Sequence, residues 1–231
     1  MIITSAERYG RDPSDIKLVA VSKTVGLSKI IEAVNAGVMI LGENRVQEAK
    51  DKIANFRMHV SHPSTHLTGG ETKEVLQWHL IGNLQKNKAR AAVQLFDLIQ
   101  SVDSRALAEE LDKHARETGK RQRVLVQVKL ADEATKHGVP EKDLMGLLDT
   151  VACMDNVKLE GMMTIPPFFD DMEKTRPYFH KLRQIADRAI AEGHPLKELS
   201  MGMSNDFTVA IEEGSTMVRI GTAIFGERNY T

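Results

Sequence analysis

The chain of 231 residues carries 31 basic and 32 acidic residues for a net charge of −1, with 42% apolar residues and one cysteine. One β/α barrel fills roughly 200–250 residues, no run approaches the ~18 consecutive apolar residues of a membrane helix, and the interspersed charges offer no basic footprint for a phosphate backbone. Neither membrane nor nucleic acid is therefore an expected partner, and an unpaired Cys153 with no apolar secretory run in Met1–Gly10 points to the cytoplasm.

Short β-branched or aliphatic runs recur at Lys17–Thr24, Met39–Arg45, Trp78–Gln85, Leu98–Ser104, Arg123–Leu130, Leu159–Ile165, Glu198–Ser204 and Met217–Gly226. Apolar residues at helical spacing lie between them, as at Ile30, Ile31 and Val34 or at Leu107, Ala108, Leu111 and Ala115. Leu18-Val19-Ala20-Val21 and Val124-Leu125-Val126 are apolar on both faces, as parallel strands covered by helices require. Gly37, Gly119, Gly193 and Gly214 precede the next strand at four joints, where a left-handed residue is cheapest as glycine. This βα alternation predicts an α/β chain folded as a closed (β/α)8 TIM barrel, a single domain over residues 1–231. A doubly wound open sheet is the structural alternative, but it calls for a glycine-rich first turn, and Ser22-Lys23-Thr24 stands there instead. Arg57–Val75 breaks the rhythm with Pro63, Gly69-Gly70 and His59, His62 and His66, and is expected to form a surface excursion.

Barrels of this class keep their reactive groups at the carboxyl ends of the strands. Lys23 closes the first strand beside apolar walls, where lost hydration lowers an amine's pKa and fits it to attack an aldehyde and form an imine. The plainer alternative is a lysine that snorkels to the rim. Ser204 follows the seventh strand, as a helix cap or as a hydroxyl presented to an anion. Gly221-Thr222 follows the eighth, as a turn or as part of the phosphate seat that the last two loops of such barrels form. Arg219 interrupts Met217-Val218 and Ile220 in a buried strand, so its guanidinium needs a partner, either a carboxylate such as Glu43 or an acceptor atom on a ligand. An aldehyde for Lys23, a phosphate for Ser204 and Thr222 and an acceptor for Arg219 occur together on pyridoxal phosphate.

The segments Val19–Thr24, Gly42–Arg45, Trp78–Gln85, Gly161–Ile165, Leu199–Ser204 and Val218–Gly226 resemble the pyridoxal phosphate homeostasis protein family, whose members are similar in fold to the amino-terminal barrel of alanine racemase. The resemblance implies pyridoxal phosphate as cofactor, Lys23 as the lysine that holds it as an aldimine, Asn44 against the cofactor, Arg219 facing the pyridine nitrogen, and Ser204, Gly221 and Thr222 on the phosphate. It also implies a role in vitamin B6 homeostasis. Two features depart from the family pattern: a short helix ahead of the first strand and a long histidine-bearing excursion.

An arginine opposite the ring nitrogen disfavours the pyridinium and weakens the ring as an electron sink. Racemisation further needs a base on each face of Cα. The racemase pattern takes the second from a tyrosine of a separate β-domain, and Tyr9, Tyr178 and Tyr230 close no barrel strand here. The expectation is a monomeric, non-catalytic carrier with no catalytic residues, which supplies PLP-dependent apoenzymes. The alternatives are a PLP-dependent amino-acid racemase and a cofactor-free lysine aldolase. The loop histidines are not expected to hold a metal. His79 reads as a structural histidine at the start of the third strand, Cys153 as a small core residue, and Asp206, Glu212 and Glu213 as a solvated helix face.

Overall fold

The computed structural model describes residues 1–60, 76–131 and 137–227. The eight barrel strands are β1 (Lys17–Val21), β2 (Ile40–Glu43), β3 (Gln77–Leu80), β4 (Leu98–Val102), β5 (Gln122–Lys129), β6 (Val157–Met163), β7 (Glu198–Met203) and β8 (Met217–Ile220). They are all parallel, run round the barrel in the order β4-β3-β2-β1-β8-β7-β6-β5, and close by pairing β4 with β5. The sequence expectation of a closed barrel is met, and the open sheet is excluded. Helices cover the outside: α1 (Ile2–Arg8) ahead of β1, then α2 (Leu27–Asn35), α3 (Val46–Val60), α4 (Ala89–Leu95), α5 (Arg105–Glu117), α6 (Glu141–Ala152), α7 (Arg176–Ala191), α8 (Phe207–Glu212) and α9 (Thr222–Phe225). Among the described residues no helix is long and apolar enough to cross a membrane.

The strands are apolar on both faces because they serve separate cores. Alternation sends Val19, Val21, Leu98, Leu125 and Met217 to an inner cluster, while Ala20, Ile99, Val124, Val126 and Met162 pack outward against the helices. Gly37, Gly119, Gly193 and Gly214 all have positive φ after their helices, as the sequence predicts.

Polar side chains share the barrel interior and are threaded on one another. Ser200 donates its hydroxyl to Gln100 Oε1 at 2.6 Å, Gln100 Nε2 lies 3.1 Å from His79 Nδ1, and His79 Nε2 lies 3.3 Å from Gln77 Oε1. Arg123 then donates to the same Gln77 oxygen at 3.0 Å and to Glu160 at 2.9 Å. Burial, reinforced by the charges of Arg123 and Lys17, pulls the His79 pKa down to about 3, so the ring is neutral. His79 is structural, as expected, but it sits within β3 and is fully buried rather than at its start.

The structure differs from the sequence reading elsewhere as well, and most strands are shorter than the runs that mark them. β1 stops at Val21 because Ser22–Val25 form a turn, with Val25 N–H donating to Ser22 O. β8 stops at Ile220, since Ile224 and Phe225 N–H both turn back to Gly221 O and wind α9. α3 runs on through Val60, absorbing the first residues of the expected excursion; residues 61–75, with His62 and His66, lie outside the described residues. Cys153 is exposed, directly after α6 ends at Ala152, while its neighbour Met154 packs against the core.

Gly161 marks an irregularity in which β5 pairs Val124 with Leu159 and then Leu125 with Gly161. A Cβ at Gly161 would stand 1.9 Å from Glu198 O on β7. Gly161→Ala is therefore expected to lower stability by on the order of 2 kcal/mol, read as a lower urea midpoint; an unchanged midpoint would show that β6 and β7 can part without cost. His79 sets a second expectation. Its folded pKa is depressed from 6.5 to about 3, so the unfolded chain takes up a proton across that window while the folded chain does not. This contribution is fully present above pH ~6.5 and is lost as pH falls, by about 1.4 kcal/mol per unit. Urea unfolding between pH 7 and 5 should show a shallower loss in His79→Gln by about one proton; equal slopes in the two proteins would count against it.

Candidate functional site

Topology assembles the site before any side chain is considered. β7, β8, β1 and β2 are consecutive neighbours, and in register Met203 aligns with Arg219, Ala20 with Ile220, and Val21 with Gly42. Ser204, Gly221-Thr222, Lys23 and Asn44, each following one of these strands, therefore come out side by side on the carboxyl-terminal rim.

Lys23 is half-buried on a turn held from below. Thr24, its neighbour, has φ 62, the left-handed region that a β-branched residue occupies only under constraint. The constraint is visible: Thr24 N–H donates to Glu48 Oε1 at 2.6 Å, and Lys52 Nζ donates to Ser22 O at 2.6 Å. Lys52 also meets Glu43 Oε1 at 2.6 Å and Glu48 Oε1 at 3.0 Å, and Ser22 Oγ donates to Glu43 Oε1 at 2.6 Å. One ion cluster thus grips the backbone on both sides of Lys23. Burial pushes the Glu43 carboxyl up against the pull of Lys52 and Ser22. Burial would raise Glu48 as well, but the Thr24 N–H and Lys52 together hold it below the usual carboxylate value.

Asn44 is half-buried at the end of β2, and its Oδ1 is buried with no hydrogen-bond partner among the described residues. Close approach of the β3 end fixes its backbone: a Cβ at Gly82 would stand 2.3 Å from Asn44 O. On the other side Ser204 Oγ accepts from Gly221 N–H at 3.3 Å, tying the two loops together. Ser204 is not the cap of α8, because Asp206 occupies that position. Gly221 has φ −116, open to any residue, and a Cβ there would meet Val21 Cβ and O at 3.5 Å, an ordinary van der Waals contact. Neither the backbone nor the packing demands a glycine there. Thr222 is exposed at the start of α9.

Arg219 lies beneath this rim, 3% exposed and facing the barrel interior in register with Val19. Its Nη1 donates to Ser200 Oγ at 2.7 Å and its Nη2 to Thr164 O at 2.9 Å. Burial lowers its pKa to about 10, partly offset by the Asp206 charge, and the group stays cationic at neutral pH. Glu43 is not its partner, because Glu43 is engaged by Lys52 and Ser22 on the other side of β1. Asp206 is not on a solvated face either. It is buried, burial raises its pKa, and its Oδ1 accepts the Met203 N–H at 2.6 Å, closing the turn that carries Ser204. Glu212 and Glu213 instead form an ion cluster with Arg176.

Sequence reasoning missed Glu48, Lys52, Ser200 and Gln100. Glu48 and Lys52 were detectable as an i, i+4 acid–base pair one turn after a strand end. Ser200 and Gln100 were detectable as polar residues at inward positions of otherwise apolar strands.

Residues 7–229 match the family described as alanine racemase, N-terminal domain. The chain is 42% identical over 228 residues to a pyridoxal phosphate homeostasis protein of Aquifex aeolicus (strain VF5), covering 98% of this chain and 93% of that protein. Among solved structures, PipY of Synechococcus elongatus PCC7942 with PLP bound is similar at TM-score 0.81 and 38% identity, covering 98% of this chain and 100% of that one. An alanine racemase of Clostridium difficile 630 shares the fold at TM-score 0.70 and 16% identity, over 98% of this chain and 56% of its own. With identity at this level along nearly its whole length, the chain belongs to the pyridoxal phosphate homeostasis protein family.

Proposed function

We propose that the chain binds pyridoxal phosphate at the carboxyl end of the barrel through Lys23 and serves the homeostasis of that cofactor without catalytic turnover. The observation that carries this is the convergence, on four neighbouring strand ends, of an amine, two hydroxyls with glycine backbone between them, and a buried guanidinium. The residues fit the group: Asn44 brings a buried oxygen with no partner among the described residues, and Gly221 brings a backbone N–H beside the Ser204 hydroxyl at the rim. That PipY, 38% identical, holds PLP supports the same reading.

When bound, pyridoxal phosphate supplies an aldehyde that condenses with a primary amine and a ring that can withdraw electrons. Lys23, presented by the strained Thr24 turn, is the amine for that aldehyde. Ser204, Gly221 and Thr222 would hold the phosphate, Asn44 would line the ring, and Arg219 would face the ring nitrogen from below. A guanidinium that is already cationic opposes a second positive charge on that nitrogen, so electron withdrawal is blunted and carbanion chemistry is disfavoured. The described tyrosines offer no second base: Tyr9 pairs with Glu212 and Tyr178 stacks on Phe169. The same reading makes a cytoplasmic monomer the working form and PLP-dependent apoenzymes the recipients.

Titration of the purified protein with pyridoxal phosphate should develop a visible absorbance band, and borohydride should trap the cofactor on Lys23 in peptide mass maps. Lys23→Ala should lose both. A trapped adduct retained on another lysine would overturn the assignment, and solvent-deuterium incorporation at Cα of an amino acid above the rate of free cofactor would overturn the non-catalytic role.

A further inference from the structure

Arg219 is a buried cation with no ion pair among the described residues, and two of its five N–H donors are used by Ser200 and Thr164. What holds it in place is the interior polar string. The string has only one consistent direction. Gln77 Oε1 accepts from Arg123, so it faces His79 as an acceptor and requires the proton of His79 on Nε2. His79 Nδ1 is then an acceptor for the Gln100 amide, which leaves Gln100 Oε1 to accept the Ser200 proton at 2.6 Å. With its own proton committed, Ser200 can offer Arg219 only lone pairs. Reversed, the string would have the Gln100 amide donating to Ser200 alongside Arg219, and the Ser200 proton would have no acceptor.

His79, Gln100 and Ser200 are each 0% exposed, in a barrel interior that aliphatic side chains otherwise fill. Aliphatic residues of similar volume would stabilise such a core at least as well, so the string is costly as mere filling.

We propose that Ser200, Gln100 and His79 are positioning residues for Arg219: they orient its guanidinium so that the unused N–H donors point up toward the ring nitrogen of the cofactor at the rim. This inference rests on the proposed binding of pyridoxal phosphate. None of the three touches the cofactor. They act by fixing which lone pair meets which N–H, which gives the guanidinium one orientation instead of several.

The test compares wild type with Ser200→Ala, Ser200→Thr and Gln100→Met by cofactor titration, by the ring-nitrogen NMR shift of isotopically labelled pyridoxal phosphate, and by borohydride trapping. Ser200→Ala and Gln100→Met should each weaken binding about tenfold and move the ring-nitrogen shift, while Lys23 is still trapped. Ser200→Thr, which keeps the hydroxyl, should restore both. Gln100→Met fills the same space without an amide and gives the same reading if Ser200→Ala does not fold. Wild-type affinity and an unmoved ring-nitrogen shift in both of these variants would overturn the proposal. Failure of wild type to take up cofactor at all would instead overturn the function on which it rests, before any variant is compared.

Discussion

Everything at the carboxyl end of this barrel is arranged around one unfavourable act, the burial of a guanidinium. Moving an ion out of water costs several kcal/mol even after the surroundings relax. Arg219 recovers part of that through Ser200 and the Thr164 carbonyl, and Asp206 contributes at a distance, but the described residues offer it no salt bridge. A purely structural cation would be expected to sit against a carboxylate. Glu43, the buried carboxylate two strands away on β2, is given to Lys52 instead, and the guanidinium keeps donors in reserve beneath the rim.

The two cationic groups of the site are held by opposite means. Arg219 stands on a strand and is fixed at its guanidinium, by the Ser200 hydroxyl and the Thr164 carbonyl, inside a barrel whose register leaves it little freedom. Lys23 stands on a turn and is fixed through the backbone, by Glu48 on the Thr24 N–H and Lys52 on the Ser22 carbonyl. A left-handed threonine costs of order 1–3 kcal/mol, which a charge-assisted hydrogen bond can offset. The division suits the chemistry. Under the proposed function, a fixed stem suits Lys23 as the amine for an aldehyde, and a fixed head suits Arg219 as the cation that faces a ring nitrogen.

Much of this was legible in the sequence because it follows from periodicity. The doubly apolar run Leu18–Val21 and the helix-ending glycines with positive φ required nothing beyond local pattern. Arg219 stood out because one polar residue in an apolar strand is expensive wherever its partner lies. The partner itself was not legible: Ser200 lies 19 residues from Arg219 and Gln100 a further 100 from Ser200, and they meet the guanidinium or one another only because β8, β7 and β4 face a common interior. Asp206 misled for a related reason. Its position after Ser204 looks like an exposed helix start, yet its carboxylate folds back on the Met203 N–H and is buried by the turn it closes.

The ends of the barrel are consequently built on different energetics. At the amino-terminal end Lys17–Glu198 and Lys158–Glu160 are ion pairs with an exposed lysine, a kind worth a fraction of a kcal/mol each and weakened by salt, and Arg123–Glu160 is half-buried beside them. Beneath the rim the polar groups are fully buried, where loss of one partner leaves another unsatisfied and costs several times as much. Substitution of Lys17 or Lys158 therefore trims stability with little effect on the rim, whereas Arg123 also donates to Gln77 and so anchors the string that runs through His79, Gln100 and Ser200 to Arg219. That asymmetry separates what keeps this barrel folded from what would, under the proposed function, fit it to hold a reactive aldehyde.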